Sequence, residues 1–457
     1  MMTQMETPLS SNRNKNKIFT LFIIFSAGLG GILYGYDIGV ISGALLFVQK
    51  TIPMSQSETG FIVGAVLMGG LVGTLITGPL ADKFGRRTMI LAACVIFIIG
   101  IILILTANSF VTLLAARLFL GVGVGVVAVA VPLYLTEIAP TKIRGRSVTI
   151  FQLLLTFGIL LAYFVDLIFT PSGNWRGMFA VILIPAAVLF ISMLFLPETP
   201  RWLLAKNRHA KAEKILGKIH HHSEIQNELA QIVNSFKKTA SSSWKALFAR
   251  NLWLPLFVAL VIAACNQLTG INVLLQYAPI VIKEAGLDSN MGTMFSTVGI
   301  GLINFIGTIL ALFLIDHFGR KRLLVIGTLG IIIAYSYLAL LPHFLVPGKF
   351  AAELTIAGFF AFIFFYSTGP GVVVWLAISE LLPTKVRGQA VALCLFVNSL
   401  AGSLLATVFL PIEHKIGMSN TYWMLTIFTV VYFLTALFLL PETKGKTLEE
   451  IQESYKS

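Results

Sequence analysis

The sequence predicts an all-α membrane protein: twelve transmembrane helices in two pseudo-symmetric six-helix bundles, joined by a helical linker. Three observations carry this prediction. First, the 457 residues are 57% hydrophobic and only 12% charged, with mean hydropathy +0.88. No soluble domain of that size can hide so much apolar surface. Second, the polar residues gather between twelve long apolar runs. Third, the charged segments between those runs repeat half a chain later. Asp82-Lys-Phe-Gly-Arg-Arg87 returns as Asp316-His-Phe-Gly-Arg-Lys321, and Pro140-Thr-Lys-Ile-Arg-Gly145 as Pro383-Thr-Lys-Val-Arg-Gly388. Pro197-Glu-Thr199 returns as Pro441-Glu-Thr443. A period of this kind marks a duplicated structural unit.

The apolar runs lie near 18–47, 60–81, 88–107, 110–135, 147–169, 176–196, 252–282, 293–315, 323–345, 353–379, 389–411 and 420–440. Each is long enough for a helix to cross a hydrocarbon core, which takes about 20 residues. The expected division is a tail 1–17, a first bundle 18–196, a linker 197–251, a second bundle 252–440 and a tail 441–457. The 33 basic residues set the orientation. With both termini cytoplasmic, only Lys50, Arg176, Lys283, Lys349 and Lys415 fall outside, and Arg117 lies within a run; this is the bias of the positive-inside rule. The net charge of +13 therefore reads as topology and requires no nucleic-acid partner.

The first run is long, carries Asp37 and lacks a clear small-residue cleavage site, so it is not read as a signal peptide. Cys94, Cys265 and Cys394 all fall inside runs, with no disulfide framework and no metal spacing. In the linker, Ile225, Leu229, Ile232, Val233 and Phe236 recur at helical spacing, as do Ala212, Ile215, Leu216 and Ile219. Short amphipathic helices against the bundle are expected there, with a loop at Ser241 to Ser243. His220, His221 and His222 are consecutive and cannot share one helix face, so a solvated turn is expected rather than a metal site. Gly64, Gly69 and Gly73 in the second run, and Gly121, Gly123 and Gly125 in the fourth, let helices approach closely. The latter string lies inside an apolar run and is not a nucleotide loop.

Two charges stand out at membrane depth, Asp37 in the first run and Arg117 in the fourth. A charge there costs roughly 2.5–3.5 kcal/mol on insertion scales and persists when paired or wetted. One reading is a static structural ion pair. The other is a proton switch, in which Arg117 holds Asp37 ionised and its withdrawal favours proton uptake. The charges expected on the cytoplasmic side include acids beside bases at run ends: Asp82 with Arg86 and Arg87, Glu137 with Arg144, Asp316 with Arg320, and Glu380 with Arg387. Glu198 and Glu442 follow the sixth and twelfth runs. These groups are expected to form a cytoplasmic latch between the halves that breaks on inward opening, although ordinary topology-setting charge accounts for the bases alone. The second half instead carries carboxamides: Asn266, Gln267 and Asn272 around Gly270, then Asn304 and Asn398, with Gln152 contributed by the first half. Gly270 and Pro279 are expected to interrupt the seventh run. Carboxamides offer donors and acceptors to a hydroxyl-rich ligand, and Trp375, after Gly369-Pro370-Gly371, offers a face for a sugar ring.

Together these motifs resemble the sugar porter family of the major facilitator superfamily over roughly 18–450. The resemblance rests on Gly35-Tyr36-Asp37, the two Asp-x-Phe-Gly-Arg segments, Arg117 and Glu137 through Gly145. It also rests on Pro197-Glu-Thr-Pro-Arg-Trp202, Gln267 through Asn272, Glu380 through Gly388 and Pro441-Glu-Thr-Lys-Gly445. It implies the major facilitator fold and a hexose or pentose bound near the midplane by Gln152, Gln267, Asn272, Asn304, Asn398 and Trp375. It also implies coupling at Asp37 and Arg117, as in bacterial proton symporters; an uncoupled facilitator is the alternative. Departures from the family pattern are Asn266 in place of a glutamine, Gln276 before Tyr277, Val374 before Trp375, and Ser399 after Asn398. A multi-pass protein of the cell membrane, acting as a monomer without cofactor, follows from the same resemblance. No Ser/His/Asp set or metal-ligand cluster suggests an enzyme, and tails this short are not expected of a transporter-like receptor.

Overall fold

The computed structural model describes residues 9–140, 144–219, 225–226, 228–230, 232–233, 247–383 and 386–444. Among these, every regular element is helical. Twelve helices or helix pairs are long and apolar enough to cross a membrane. Inside hydrocarbon each backbone N–H and C=O must be satisfied within the segment, which leaves the helix as the local solution for such runs.

The first six crossings are α1 (Leu9–Val48), α2 (Gln56–Phe84), α3 (Arg86–Thr106), α4 (Phe110–Ile138), α5 (Arg144–Phe169) and the pair α6 (Trp175–Ala180) and α7 (Leu183–Phe195). Helices α8 (Pro200–Ala205) and α9 (His209–Ile219) follow. The last six are the pair α10 (Trp253–Leu268) and α11 (Ile271–Glu284), α12 (Asn290–Phe318), α13 (Arg320–Phe344), the pair α14 (Lys349–Thr368) and α15 (Pro370–Leu381), α16 (Arg387–Ile416) and α17 (Met418–Leu434), which runs into a π turn, Thr435–Leu439. In the first half α1 packs on α5, and α2 on α4; in the second, α10 packs on α16, and α12 on α14. The same pairings recur, so the pseudo-symmetry of the sequence is also one of packing. Large apolar side chains such as Phe195, Phe313 and Phe344 point outward and are exposed, as a lipid-facing surface requires.

Three crossings are broken. Gly270, at φ +81°, separates α10 from α11, a left-handed conformation that glycine adopts without a Cβ clash. The freed Thr269 carbonyl accepts from Tyr335 Oη at 2.6 Å. Pro279 was expected to interrupt this crossing too, but it lies within α11, which continues to Glu284. Gly369 separates α14 from α15, with Pro370 at the first helical position. The break between α6 and α7 is not signalled by glycine. Pro185 has no N–H to offer the carbonyl four residues earlier, at Val181, where the helix gives way.

Of the linker expectations, Ala212, Leu216 and Ile219 form the buried face of α9. Ala212 joins Trp202, Leu203 and Leu204 in a small core, on which Leu229 and Ile232 pack. Ile225 is buried and Val233 exposed, both helical. Phe236, Ser241 to Ser243, and His220 to His222 lie outside the described residues.

Away from the charged loops, the two halves are pressed together. A Cβ added to Gly60 of α2 would lie 2.1 Å from the Thr407 carbonyl oxygen of α16. Gly301 of α12 abuts Tyr163 and Leu160 of α5, and Tyr163 Oη donates to Leu275 O of α11 at 2.6 Å. Within the first half, a Cβ at Gly35 of α1 would meet the Leu155 carbonyl of α5 at 1.8 Å. Gly35→Ala is therefore expected to push α1 off α5 and destabilise the protein by about 1–3 kcal/mol. A lowered thermal midpoint in detergent, by differential scanning fluorimetry, checks this.

Candidate transport site

Helices α1 and α4 bring Asp37 and Arg117 together. Arg117 Nη1 donates to Asp37 Oδ1 at 2.7 Å, and the side chains are 0% and 1% exposed. The guanidinium carbon lies 5.5 Å from the Phe179 ring centroid. Arg117 Nε and Nη2 are buried without a hydrogen-bond partner. The pair is thus held by one contact in an apolar setting, not locked by a bidentate fork.

A third charge-bearing group, not singled out from sequence, is buried within a crossing: Asp166 of α5. It is 0% exposed; Oδ2 accepts from Gly43 N of α1 at 3.0 Å, and Oδ1 has no partner.

In the second half the carboxamides form a chain. Asn272 Nδ2 donates to Gln267 Oε1 at 2.8 Å, and Gln267 Nε2 to Asn398 Oδ1 at 3.2 Å. Asn398 Nδ2 donates to Ala263 O at 2.8 Å and to Asn266 Oδ1 at 3.3 Å. Asn266 Oδ1 also accepts from Tyr366 Oη at 3.3 Å, and Asn266 Nδ2 reaches Pro370 O at 3.5 Å. Gln267 of α10 and Asn272 of α11 flank the break at Gly270 and meet across it. Gly402 of α16 gives Gln267 room, since a Cβ there would lie 3.0 Å from Oε1. Gln267 is half-buried, whereas Asn266 is only 3% exposed and its amide is engaged within the protein. Tyr366, on α14, was not singled out from sequence; its partnership with Asn266 arises only through the fold. Gln152 and Trp375 are half-buried and Asn304 is buried. No side-chain hydrogen bond joins these three to the chain of amides among the described residues.

At the charged loops the duplication becomes geometry. Arg86 Nη2 lies 2.9 Å from Asp82 Oδ1 and 3.0 Å from Glu137 Oε1. Glu198 Oε1 accepts from the backbone N–H groups of Arg86, Arg87 and Thr199, and Thr199 Oγ1 donates to Glu137 Oε2 at 2.6 Å. In the second half Arg320 Nη2 lies 3.2 Å from Glu380 Oε1. Glu442 Oε1 accepts from the N–H groups of Arg320, Thr443 and Lys444, and Thr443 Oγ1 donates to Glu380 Oε2. Glu198 and Glu442 thus cap the N-termini of α3 and α13, where exposed N–H groups and the helix dipole favour an anion. Burial pushes the Glu198 carboxyl above its ordinary value, against the pull of those N–H groups and of Arg86. These ion pairs each stay inside one half. Arg387 Nε and Nη2, and Arg320 Nε, are buried with no hydrogen-bond partner among the described residues. The side chains of Arg144 and Asp316 lie outside those described.

The family model for sugar (and other) transporters matches residues 23–455. The chain belongs to this sugar transporter family. Among its relatives, the galactose-proton symporter of Escherichia coli K12 is 35% identical, over 96% of this chain and 95% of that protein. The probable metabolite transport protein CsbC of Bacillus subtilis is 37% identical, over 95% and 94%. The E. coli xylose transporter XylE in its inward-open conformation superposes with TM-score 0.82 at 28% identity, covering 95% of this chain and 99% of that one. This sugar transporter family member is accordingly a multi-pass membrane protein with the major facilitator fold, and its relatives are transport proteins rather than enzymes.

Removing one member of a buried ion pair leaves the other uncompensated, at about 3–5 kcal/mol. Arg117→Ala is expected to lower the thermal midpoint sharply at neutral pH, and Arg117→Ala/Asp37→Asn to recover most of the loss. Unfolding scans of the two variants check this.

Proposed function

We propose that this protein is a proton-coupled symporter that takes up a monosaccharide, hexose or pentose, by alternating access, as a monomer with both termini cytoplasmic. The observation that carries this reading is the buried Asp37–Arg117 pair in one bundle, opposite a chain of carboxamides in the other. An ion pair with a single contact at membrane depth is poised between two states. With Arg117 near, the carboxylate is compensated; with Arg117 withdrawn, the neutral acid is favoured and a proton is taken up. A sugar held across both halves biases the rocking of the bundles, so that proton and sugar move through one conformational equilibrium. The names of the relatives, a galactose-proton symporter and a xylose transporter, support this pairing of cargo and ion.

In this reading Gln267 and Asn272 hold the sugar hydroxyls, with Asn398 beside them, Trp375 packs on the ring, and Gln152 and Asn304 complete the site. Asn266, enclosed by Tyr366, Pro370 and Asn398, positions Asn398 and α15 instead of meeting the sugar first. The charged clusters act as the cytoplasmic latch: Asp82, Arg86, Arg87, Glu137, Arg144 and Glu198 with Asp316, Arg320, Glu380, Arg387 and Glu442. The unpartnered guanidinium nitrogens of Arg387 and the tight packing of the opposite end support a state in which the halves have parted on the cytoplasmic side. The division into bundles 18–196 and 252–440, with the linker between, belongs to the same proposal.

Proteoliposome uptake tests the coupling. Asp37→Asn is expected to keep sugar exchange but lose accumulation driven by a pH gradient; intact accumulation in that variant would sink the proton role. Gln267→Ala removes a group that also orders Asn272 and Asn398. It is expected to weaken sugar binding about 10-fold or more, read by calorimetric titration against a panel of hexoses and pentoses.

A further inference from the structure

The duplicated charged motif does not close the same way in both halves. In the first half, Arg87 folds onto the end of α7: Nε donates to Met193 O at 2.8 Å and Nη2 to Leu194 O at 2.7 Å. The corresponding residue in the second half is Lys321. Aligned on the two Pro-Glu-Thr segments, Met193 and Leu194 correspond to Leu437 and Phe438. A lysine has no fork to bridge two carbonyls, and neither Lys321 nor Arg322 has a bonded partner among the described residues. The helix end they face winds as the π turn Thr435–Leu439.

What remains there is a cavity of ≈ 480 Å³ between the end of α12, the start of α13, the π turn and the segment after it. Lys321, Arg322 and Lys444 line it, and Lys444 Nζ donates to His317 O at 2.9 Å. Among the described residues one acid lines it, Glu442, whose Oε1 accepts from three backbone N–H groups while Oε2 is buried without a hydrogen-bond partner. The other walls are apolar: Phe318 and Ile326, 44% and 51% exposed, and Leu437. One end of the cavity is therefore cationic and lies among the charged loops, and the other runs onto the lipid-facing side of α13.

We propose that this cavity binds the headgroup of an anionic phospholipid from the leaflet bordering the charged loops. Its phosphate accepts from Lys321 and Arg322, and the start of its acyl chain lies along Ile326 and Leu437. A free phosphate would match the cationic end but leave the apolar walls bare. Basic recesses between crossing helices are suited to such headgroups, with roughly 1 kcal/mol per lysine or arginine near the surface.

The test counts lipid retained by the purified full-length chain, by native mass spectrometry, after titration with phosphatidylglycerol or phosphatidylcholine. Wild type is expected to retain phosphatidylglycerol preferentially. Lys321→Gln/Arg322→Gln is expected to weaken that binding about 30-fold, and Arg322→Gln alone about 5-fold, should the double variant misfold. Lys211→Gln/Lys214→Gln on α9, an equal change in charge elsewhere, is expected to retain it. Equal retention of both lipids, or equal loss in the α9 control, overturns the site. Displacement of phosphatidylglycerol by inorganic phosphate at constant ionic strength overturns the lipid assignment in favour of a soluble anion. If phosphatidylglycerol binds only after residues 445–457 are removed, the chain's own acidic tail is the occupant and the proposal fails. The readout is lipid binding, so it stands or falls apart from the sugar reading.

Discussion

A charge placed in hydrocarbon must be paired, protonated or wetted, and the contact between Asp37 and Arg117 is where this chain meets that requirement. Much else follows from holding it. The two groups come from α1 and α4, so the first bundle must bring those helices close, and glycines at the α1–α5 and α2–α4 crossings allow it. Arg117 is completed by no second acceptor, which leaves its hold on Asp37 reversible. A bidentate pair with every nitrogen satisfied would be a strut, not a switch.

The second bundle solves a different problem with neutral groups. Breaking α10 from α11 at Gly270 exposes backbone that would be costly in lipid, and Tyr335 answers the freed carbonyl of Thr269. The amides of Asn272, Gln267, Asn398 and Asn266 satisfy one another in sequence, so each is oriented before any ligand arrives. Preorganisation of this kind reduces the ordering that binding would otherwise require. The two bundles share a packing scheme and a set of charged-loop clusters, and they differ at the centre: an ion pair on one side, amides on the other.

Much of this was legible in the sequence, because the membrane restricts what residues can do. Long apolar runs have one local solution, and a depth charge such as Asp37 needs a partner for which Arg117 was the evident choice. The caps made by Glu198 and Glu442 were legible only as acids in repeated places; that each closes on a helix N-terminus within its own half is a matter of geometry. Asp166 was missed because hydropathy averages over it. Tyr366 was missed because an aromatic in an apolar run carries no sign of where its hydroxyl points. A proline alone does not announce a break: Pro79, Pro132 and Pro279 sit inside continuous helices, whereas the sixth crossing gives way at Val181, four residues before Pro185. Asn266 is legible as a carboxamide beside Gln267, but its partners Tyr366, Pro370 and Asn398 are brought to it only by the fold.

Sugar and proton must cross together if the Asp37–Arg117 pair is a switch. The most direct measurement is the pH of a lightly buffered suspension of energy-depleted vesicles carrying this protein, followed as sugar is added. Cotransport predicts an alkaline shift outside that accompanies sugar entry and disappears with a protonophore. Sugar entry at an undiminished rate with no change in external pH would contradict it.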